Sequence, residues 1–193
     1  TQEGKRMLID YGVRTVIDLR FPKEFTELPA VVFDARAGDE KPDYLNIPFG
    51  ADNPAVSARI AGLEDPSADY CVWLESFPDA VRDVMRAVLS SRSGGVVFHC
   101  RSGKDRTGMV AALLLSLADV PRNVIVDDYI WTDKRLRPLY DANLMNPNAN
   151  RAVADRMRLM LEFLDEELGG VVEFLKTTGL GDEEIVELRS RLL

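Results

Sequence analysis

The sequence predicts an α/β fold: a small central, mostly parallel sheet flanked by helices. Three observations lead there. Short β-branched runs, Val13 to Leu19 and Val96 to Phe98, each follow a glycine and run into polar turns. Longer stretches between and after them carry apolar residues at helical spacing, and strands alternating with helices imply parallel pairing. At 193 residues and 46% hydrophobic content the chain can bury one sizeable core, so a single domain over 1–193 is expected.

In chain order, Thr1 to Tyr11 reads as a helix with Met7 and Leu8 apolar and Gly12 past its end. Val13 to Leu19 is a strand stopped by Phe21-Pro22. Val31 to Phe33 and Tyr44 to Pro48 are expected as further strands around a polar turn from Ala35 to Pro42. Gly50 to Ser67 lacks periodicity, carries Pro54 and Pro66, and reads as a mobile surface segment. Tyr70 to Ser76 is a short helix with Trp73 and Leu74 inward. Ser76-Phe77-Pro78-Asp79 then opens a second helix. Ser76 is taken as its cap, and Val81, Val84, Met85, Val88 and Leu89 form its buried side at i, i+3, i+4, i+7, i+8 spacing. Ser93-Gly94-Gly95 ends that helix.

From Thr107 the pattern is apolar nearly all round through Leu117, which marks a buried helix. Val120-Pro121 starts the next, running through Val124, Ile125, Tyr129 and Ile130. Asp127 and Asp128 belong to its solvated face. Lys134 to Asn150, polar and interrupted by Pro138 and Pro147, is expected as a lid or irregular excursion. Val153, Met157, Met160, Leu161 and Leu164 form a core stripe, broken by Gly169-Gly170. Val171 to Leu175 and a last helix with Ile185, Leu188 and Leu192 inward complete the chain.

Composition narrows the function. A net charge of −8 and a pI near 4.8 argue against general binding to nucleic acid or anionic membrane, so affinity for phosphate must be local. No apolar run approaches the length of a membrane span, and no stable membrane insertion is expected. Two cysteines make no disulfide framework and suit a reducing, cytoplasmic compartment. Cys71 reads as a half-buried structural residue. With a single histidine and no cysteine cluster, neither a zinc site nor any cofactor is expected.

The chemistry is concentrated in Val96-Val97-Phe98-His99-Cys100-Arg101-Ser102-Gly103-Lys104-Asp105-Arg106-Thr107-Gly108. Strand, glycine-bearing loop and helix N-terminus in series form an oxyanion cradle, because first-turn amides lack internal partners and the helix dipole adds positive charge there. Gly103 lets successive N–H groups converge. A thiol at the base sees the same field, which favours the nucleophilic thiolate of Cys100. Arg106 reaches back with a planar fork matching two phosphate oxygens. Nucleophile, cradle and clamp together describe phosphoryl transfer through a cysteinyl-phosphate.

The string H-C-x-x-G-K-D-R-T-G resembles the signature loop of cysteine-dependent protein tyrosine phosphatases, in wording closest to the bacterial tyrosine and dual-specificity group. Lys104 is also similar to a lysine in lipid phosphatases of the superfamily. G-V-R-T-V-I-D-L-R, Y-L-N-I-P and V-P-R-N-V-I-V-D-D-Y resemble further stretches of the group, so the likeness spans most of the chain. The family also has an N-terminal segment with an Arg-Asp-x-Gly-Gly turn, which this sequence is read as lacking. The resemblance implies a tyrosine-phosphatase-like fold and a phosphorylated protein or phosphoinositide as substrate. It implies that Thr107 assists the leaving thiolate, that His99 fixes the cysteine backbone, and that Asp18 and Arg20 lie near the loop. Arg101, Ser102, Gly103, Lys104, Gly108 and Arg20 are expected to contact substrate, with Lys104 adding charge at the mouth.

The leaving group needs a proton, hence a carboxyl near the loop. Asp18, from a neighbouring strand end, is the favoured donor; Asp105, beside the Arg106 cation, is the other candidate and would otherwise orient Arg106 or water. A silent phosphate-binding module and a persulfide sulfurtransferase are competing readings. The presence of Cys100, Arg106 and Thr107 together argues against the first, and the arginine six residues after the cysteine fits phosphate better than the second.

Overall fold

The computed structural model describes residues 1–30, 33, 41–146 and 152–193. Three parallel strands form the sheet, β1 (Val13–Asp18) in the centre, β2 (Asp43–Asn46) on one side and β3 (Gly95–His99) on the other. Asp18 is paired with Asn46 and with His99, so all three strands end at one edge. Pairing continues past them: the Leu19 amide donates to the His99 carbonyl at 2.8 Å and the Ile47 amide to Asp18 at 3.0 Å. Loops leaving this carboxyl edge are therefore neighbours, as open parallel sheets require of a binding site.

Nine α-helices are described: α1 (Gln2–Asp10), α2 (Pro54–Ala61), α3 (Asp69–Ser76), α4 (Pro78–Leu89), α5 (Asp105–Leu117), α6 (Arg122–Asp141), α7 (Ala154–Glu166), α8 (Gly170–Thr177) and α9 (Asp182–Leu192). Leu8 and Ile9 of α1 cover a small cluster made by Val13, Val16 and Phe33. Ile17 and Leu19 belong instead to the main core with α3 to α9. At its centre lies α5, whose Met109, Leu113 and Leu117 are fully buried, as the all-round apolar pattern predicts. Truncating such a leucine to alanine costs about 2–5 kcal/mol, so the helix behind the loop is held firmly.

Several elements differ from expectation. Gly50 to Ser67 carries α2, started by Asn53, whose side chain accepts from the Ala55 amide with Pro54 at the first helical position, and a 3-10 turn at Pro66–Ala68 capped by Asp65. Lys134 to Asp141 is no excursion but the C-terminal part of α6, which continues through Pro138. Leu136 and Tyr140 are buried there, and that burial outweighs the hydrogen bond a proline removes. Ser76 ends α3 and is not the cap of α4; Phe77 stands at that place, while Asp79 is exposed and bound to Arg82. The expected strand at Val31–Val32, most of the Ala35–Pro42 turn and the stretch from Pro147 lie outside the described residues.

Candidate active site

Cys100 follows directly on β3, buried, at the base of the loop that leads into α5. Its amide donates to Thr107 Oγ1 at 3.0 Å, so the threonine hydroxyl is fixed beside the cysteine. His99 Nδ1 lies 3.0 Å from the Cys100 carbonyl, which can only accept, so this nitrogen carries the proton. The backbone of Cys100 is thus pinned from both sides. Gly103 stands at φ +66°, the left-handed region that turns successive amides toward one point. Lys104 is the N-cap of α5 and supplies no side-chain acceptor, leaving the first turn open to an anion.

Arg106 is held by a residue that the spacing of the loop does not reveal. Glu24, in the 3-10 turn Pro22–Thr26 after β1, accepts from both ends of the guanidinium at 2.6 and 2.8 Å. A third contact runs from Arg106 to the Leu19 carbonyl at 3.3 Å, and the Phe21 ring covers one face of the guanidinium at 5.0 Å. The Arg106 hydrogen bonds hold the Glu24 carboxyl below its usual range, against the opposing effect of burial. Burial weakens the charge of Arg106, but Glu24 and the Cys100 sulfur more than compensate, and its basicity rises. Lys-Glu three residues after the D-L-R string was the available signal.

Asp18, the expected proton donor, is closely surrounded by partners. Its side chain is wholly buried; Arg20 binds both carboxylate oxygens, Nη2 at 2.6 Å, and the Tyr44 hydroxyl donates at 2.5 Å. Burial pushes the carboxyl up, yet these hydrogen bonds with the Arg20 amide hold it below the usual value, so it stays ionised. Its Oδ2 lies 3.7 Å from His99 Nε2, a link from β1 to the residue before the cysteine. Arg20, expected to contact substrate, is buried between Asp18, the Leu28 carbonyl and the Phe25 ring.

Two more expectations change. Lys104, only 3% exposed, points inward to Asp105 at 3.2 Å and is not at the mouth. Gly108 is a packing position, since a Cβ there would come within 2.9 Å of the Tyr129 ring. Arg101 is exposed and bound to Glu27; Ser102 is partly exposed. Cys71 lies on α3, its thiol donating to the Leu159 carbonyl, and burial pushes it up to about 11.

Beside Arg106 opens a cavity of about 270 Å³ lined by Phe21, Ile60, Tyr70, Trp73 and Met109, with two carboxyl groups, Asp69 and Asp105, in its wall. The Tyr70 hydroxyl donates to Asp105 at 2.6 Å and lies 2.8 Å from that of Tyr129. Among the described residues no group of three or more His, Cys, Asp or Glu could hold a metal, and no helix is long and apolar enough to cross a membrane.

Such a junction suits an oxyanion, and a thiol at its base fits the phosphomonoesterase class on an α/β scaffold. Residues 1–193 match the tyrosine phosphatase family. A tyrosine-protein phosphatase of Nostoc commune is 30% identical over 210 residues, covering the whole of this chain and 70% of that protein. The triple specificity protein phosphatase PtpB of Mycobacterium tuberculosis is 26% identical over 120 residues, 51% of this chain and 44% of that one. The chain belongs to the tyrosine phosphatase family.

Proposed function

We propose that Cys100 attacks the phosphorus of a protein phosphomonoester, phosphotyrosine first among them, while the amides from Arg101 to Arg106 and the Arg106 guanidinium hold the three equatorial oxygens. The Sγ–P bond forms as the bond to the leaving oxygen breaks, and water then hydrolyses the cysteinyl-phosphate. Thr107, bound to the Cys100 amide, is placed to stabilise the departing thiolate. The observation that carries this reading is the two-point hold of Glu24 on Arg106, because it fixes the clamp before substrate arrives. The aromatic lining of the adjoining cavity suits a phenyl ring.

A relative named a triple specificity protein phosphatase supports protein substrates beyond phosphotyrosine. Lys104 no longer favours phosphoinositides, since its ammonium is turned to Asp105. The donor of the leaving group's proton must face the cavity, which favours its two wall carboxyls, Asp69 and Asp105, over Asp18. The test is Cys100→Ser, assayed on p-nitrophenyl phosphate and phosphotyrosine peptides beside a phosphoinositide panel. Turnover should vanish while inorganic phosphate still binds by calorimetry; a serine variant hydrolysing at near the wild-type rate overturns the thiolate mechanism.

A further inference from the structure

The two carboxyl groups in the cavity wall are unlike. One hydrogen bond and two ion pairs converge on Asp105 Oδ1: the Tyr70 hydroxyl donates at 2.6 Å, and the cations Lys104 Nζ and Arg156 Nη1 lie 3.2 and 3.6 Å away. That oxygen has the partners of a fixed anion. Asp69, the first residue of α3, is different: its Oδ1 is buried and receives no hydrogen bond. Arg156 Nε lies 3.1 Å from it, within ion-pair range but out of line for donation. The same guanidinium lies over the Tyr70 ring at 5.5 Å.

We propose that Asp69 is the catalytic acid of this site, handing its proton to the leaving oxygen across the cavity it shares with Arg106, while Asp105 acts as a positioning residue for Arg156 and Lys104. The inference rests on the phosphatase reading above. As the Sγ–P bond forms and the P–O bond breaks, the leaving oxygen takes the Asp69 proton and departs as a neutral alcohol or phenol. The resulting carboxylate then accepts a proton from the water that attacks phosphorus and releases the Cys100 thiolate, so the proton returns to its starting place.

The charges around Asp69 support this. Burial pushes its carboxyl up to about 6; Arg156 from α7 opposes the shift, Asp105 adds to it, and Lys104 opposes it again. Tyr129 from α6 and Cys71 on its own helix also feel its charge, and both are pushed toward their neutral forms, chiefly by burial. From α2 only Ile60 reaches the cavity, adding apolar surface. Two carboxyls set apart by their surroundings, one ringed by cations and a hydroxyl donor and one raised by burial, are the arrangement acid–base chemistry uses.

The experiment measures kcat/KM against leaving-group pKa for a series of aryl phosphates with wild type, Asp69→Asn, Asp69→Glu and Asp105→Asn. A positioned acid contributes about 10²–10⁴-fold when the leaving group is poor. Asp69→Asn should therefore lose at least about 10²-fold on phenyl phosphate, far less on 2,4-dinitrophenyl phosphate, and should flatten the basic limb of the pH profile. Asp69→Glu should recover part of the loss. A uniform loss across the series, or the steep dependence appearing in Asp105→Asn instead, overturns the assignment. Wild type gives a second measurement that needs no variant to fold: the basic limb should be present with phenyl phosphate and absent with the dinitro ester, and identical profiles overturn the proposal. If Cys100→Ser is inactive while Asp69→Asn ignores the leaving group, the acid assignment alone fails; if Cys100→Ser stays active, the phosphatase reading fails with it.

Discussion

Replacing Glu24 by glutamine asks how much of the phosphate clamp is built by the turn after β1. The carboxylate receives two hydrogen bonds from Arg106, at 2.6 and 2.8 Å, with both side chains largely buried. Glutamine keeps one acceptor, loses the charge and brings an amide donor against a cation. A hydrogen bond to a charged group contributes about 1.5–3 kcal/mol, and about 1.4 kcal/mol is a factor of ten in rate, so kcat/KM should fall roughly 10–100-fold. A loss of about 1–3 kcal/mol in stability, at roughly 2–4 °C per kcal/mol for a chain of this size, should lower Tm by about 2–12 °C. The folded Glu24 carboxyl is depressed below 4.5, so the pair stabilises above that pH and its contribution is lost as pH falls through the lower folded value. Steady-state hydrolysis of p-nitrophenyl phosphate at neutral pH, with melting curves from acid to neutral pH, tests both arms. A variant with a lowered Tm but unchanged kcat/KM would show that Glu24 braces the turn without preparing Arg106, and would refute the reasoning.

Asp18→Asn should act on stability first, because it leaves Arg20 buried beside a neutral partner; about 3 kcal/mol or more is expected, read by denaturant unfolding, with no dependence on leaving group in the surviving activity. Its folded pKa is depressed, so the wild-type advantage is present above the ordinary aspartate range and disappears as pH is lowered through the folded value. Gly108→Ala should push the Tyr129 ring away and disturb the Tyr129–Tyr70–Asp105 chain, lowering kcat more than it raises KM; an unaffected kcat would mean the ring moves freely. Chelator should leave activity intact while peroxide inactivates the Cys100 thiolate and dithiothreitol restores it; activity lost to chelator and returned by a divalent ion would contradict the mechanism.

The central strands, the loop and α5 were legible because local signals agree there: β-branched runs, then glycine, then an apolar helix. α2 was missed although Asn53-Pro54 is a proper start, since it has no fully buried residue and hence little apolar periodicity. The end of α6 was hidden by Pro138, whose local preference is overruled by burial of Leu136 and Tyr140. At the site, sequence placed the cysteine and arginine correctly with respect to the helix, because one short segment carries both. It did not show that Asp18 and Arg20 pair with each other or that Lys104 turns inward to Asp105, since adjacency along a strand or loop does not say which way a long polar side chain turns. Glu24 and Asp69 were harder to find for the opposite reason: Glu24 reaches Arg106, and Asp69 the cavity, from segments remote in sequence from the loop.

Cations on the segments framing the cavity each have a carboxylate partner: Lys23 with Asp52, Arg59 with Glu75, Arg101 with Glu27, Arg106 with Glu24 and Arg156 with Asp105. With the whole chain at −8, an approaching dianion feels no attractive field at long range and meets favourable contacts only within the cradle. Encounter is then slowed rather than steered for an acidic phosphopeptide, and added salt, which screens charges beyond about 8 Å at physiological strength, hastens it. A phosphopeptide with lysine or arginine beside the phosphorylated residue experiences the reverse, drawn in by the same negative surface that holds other anions off.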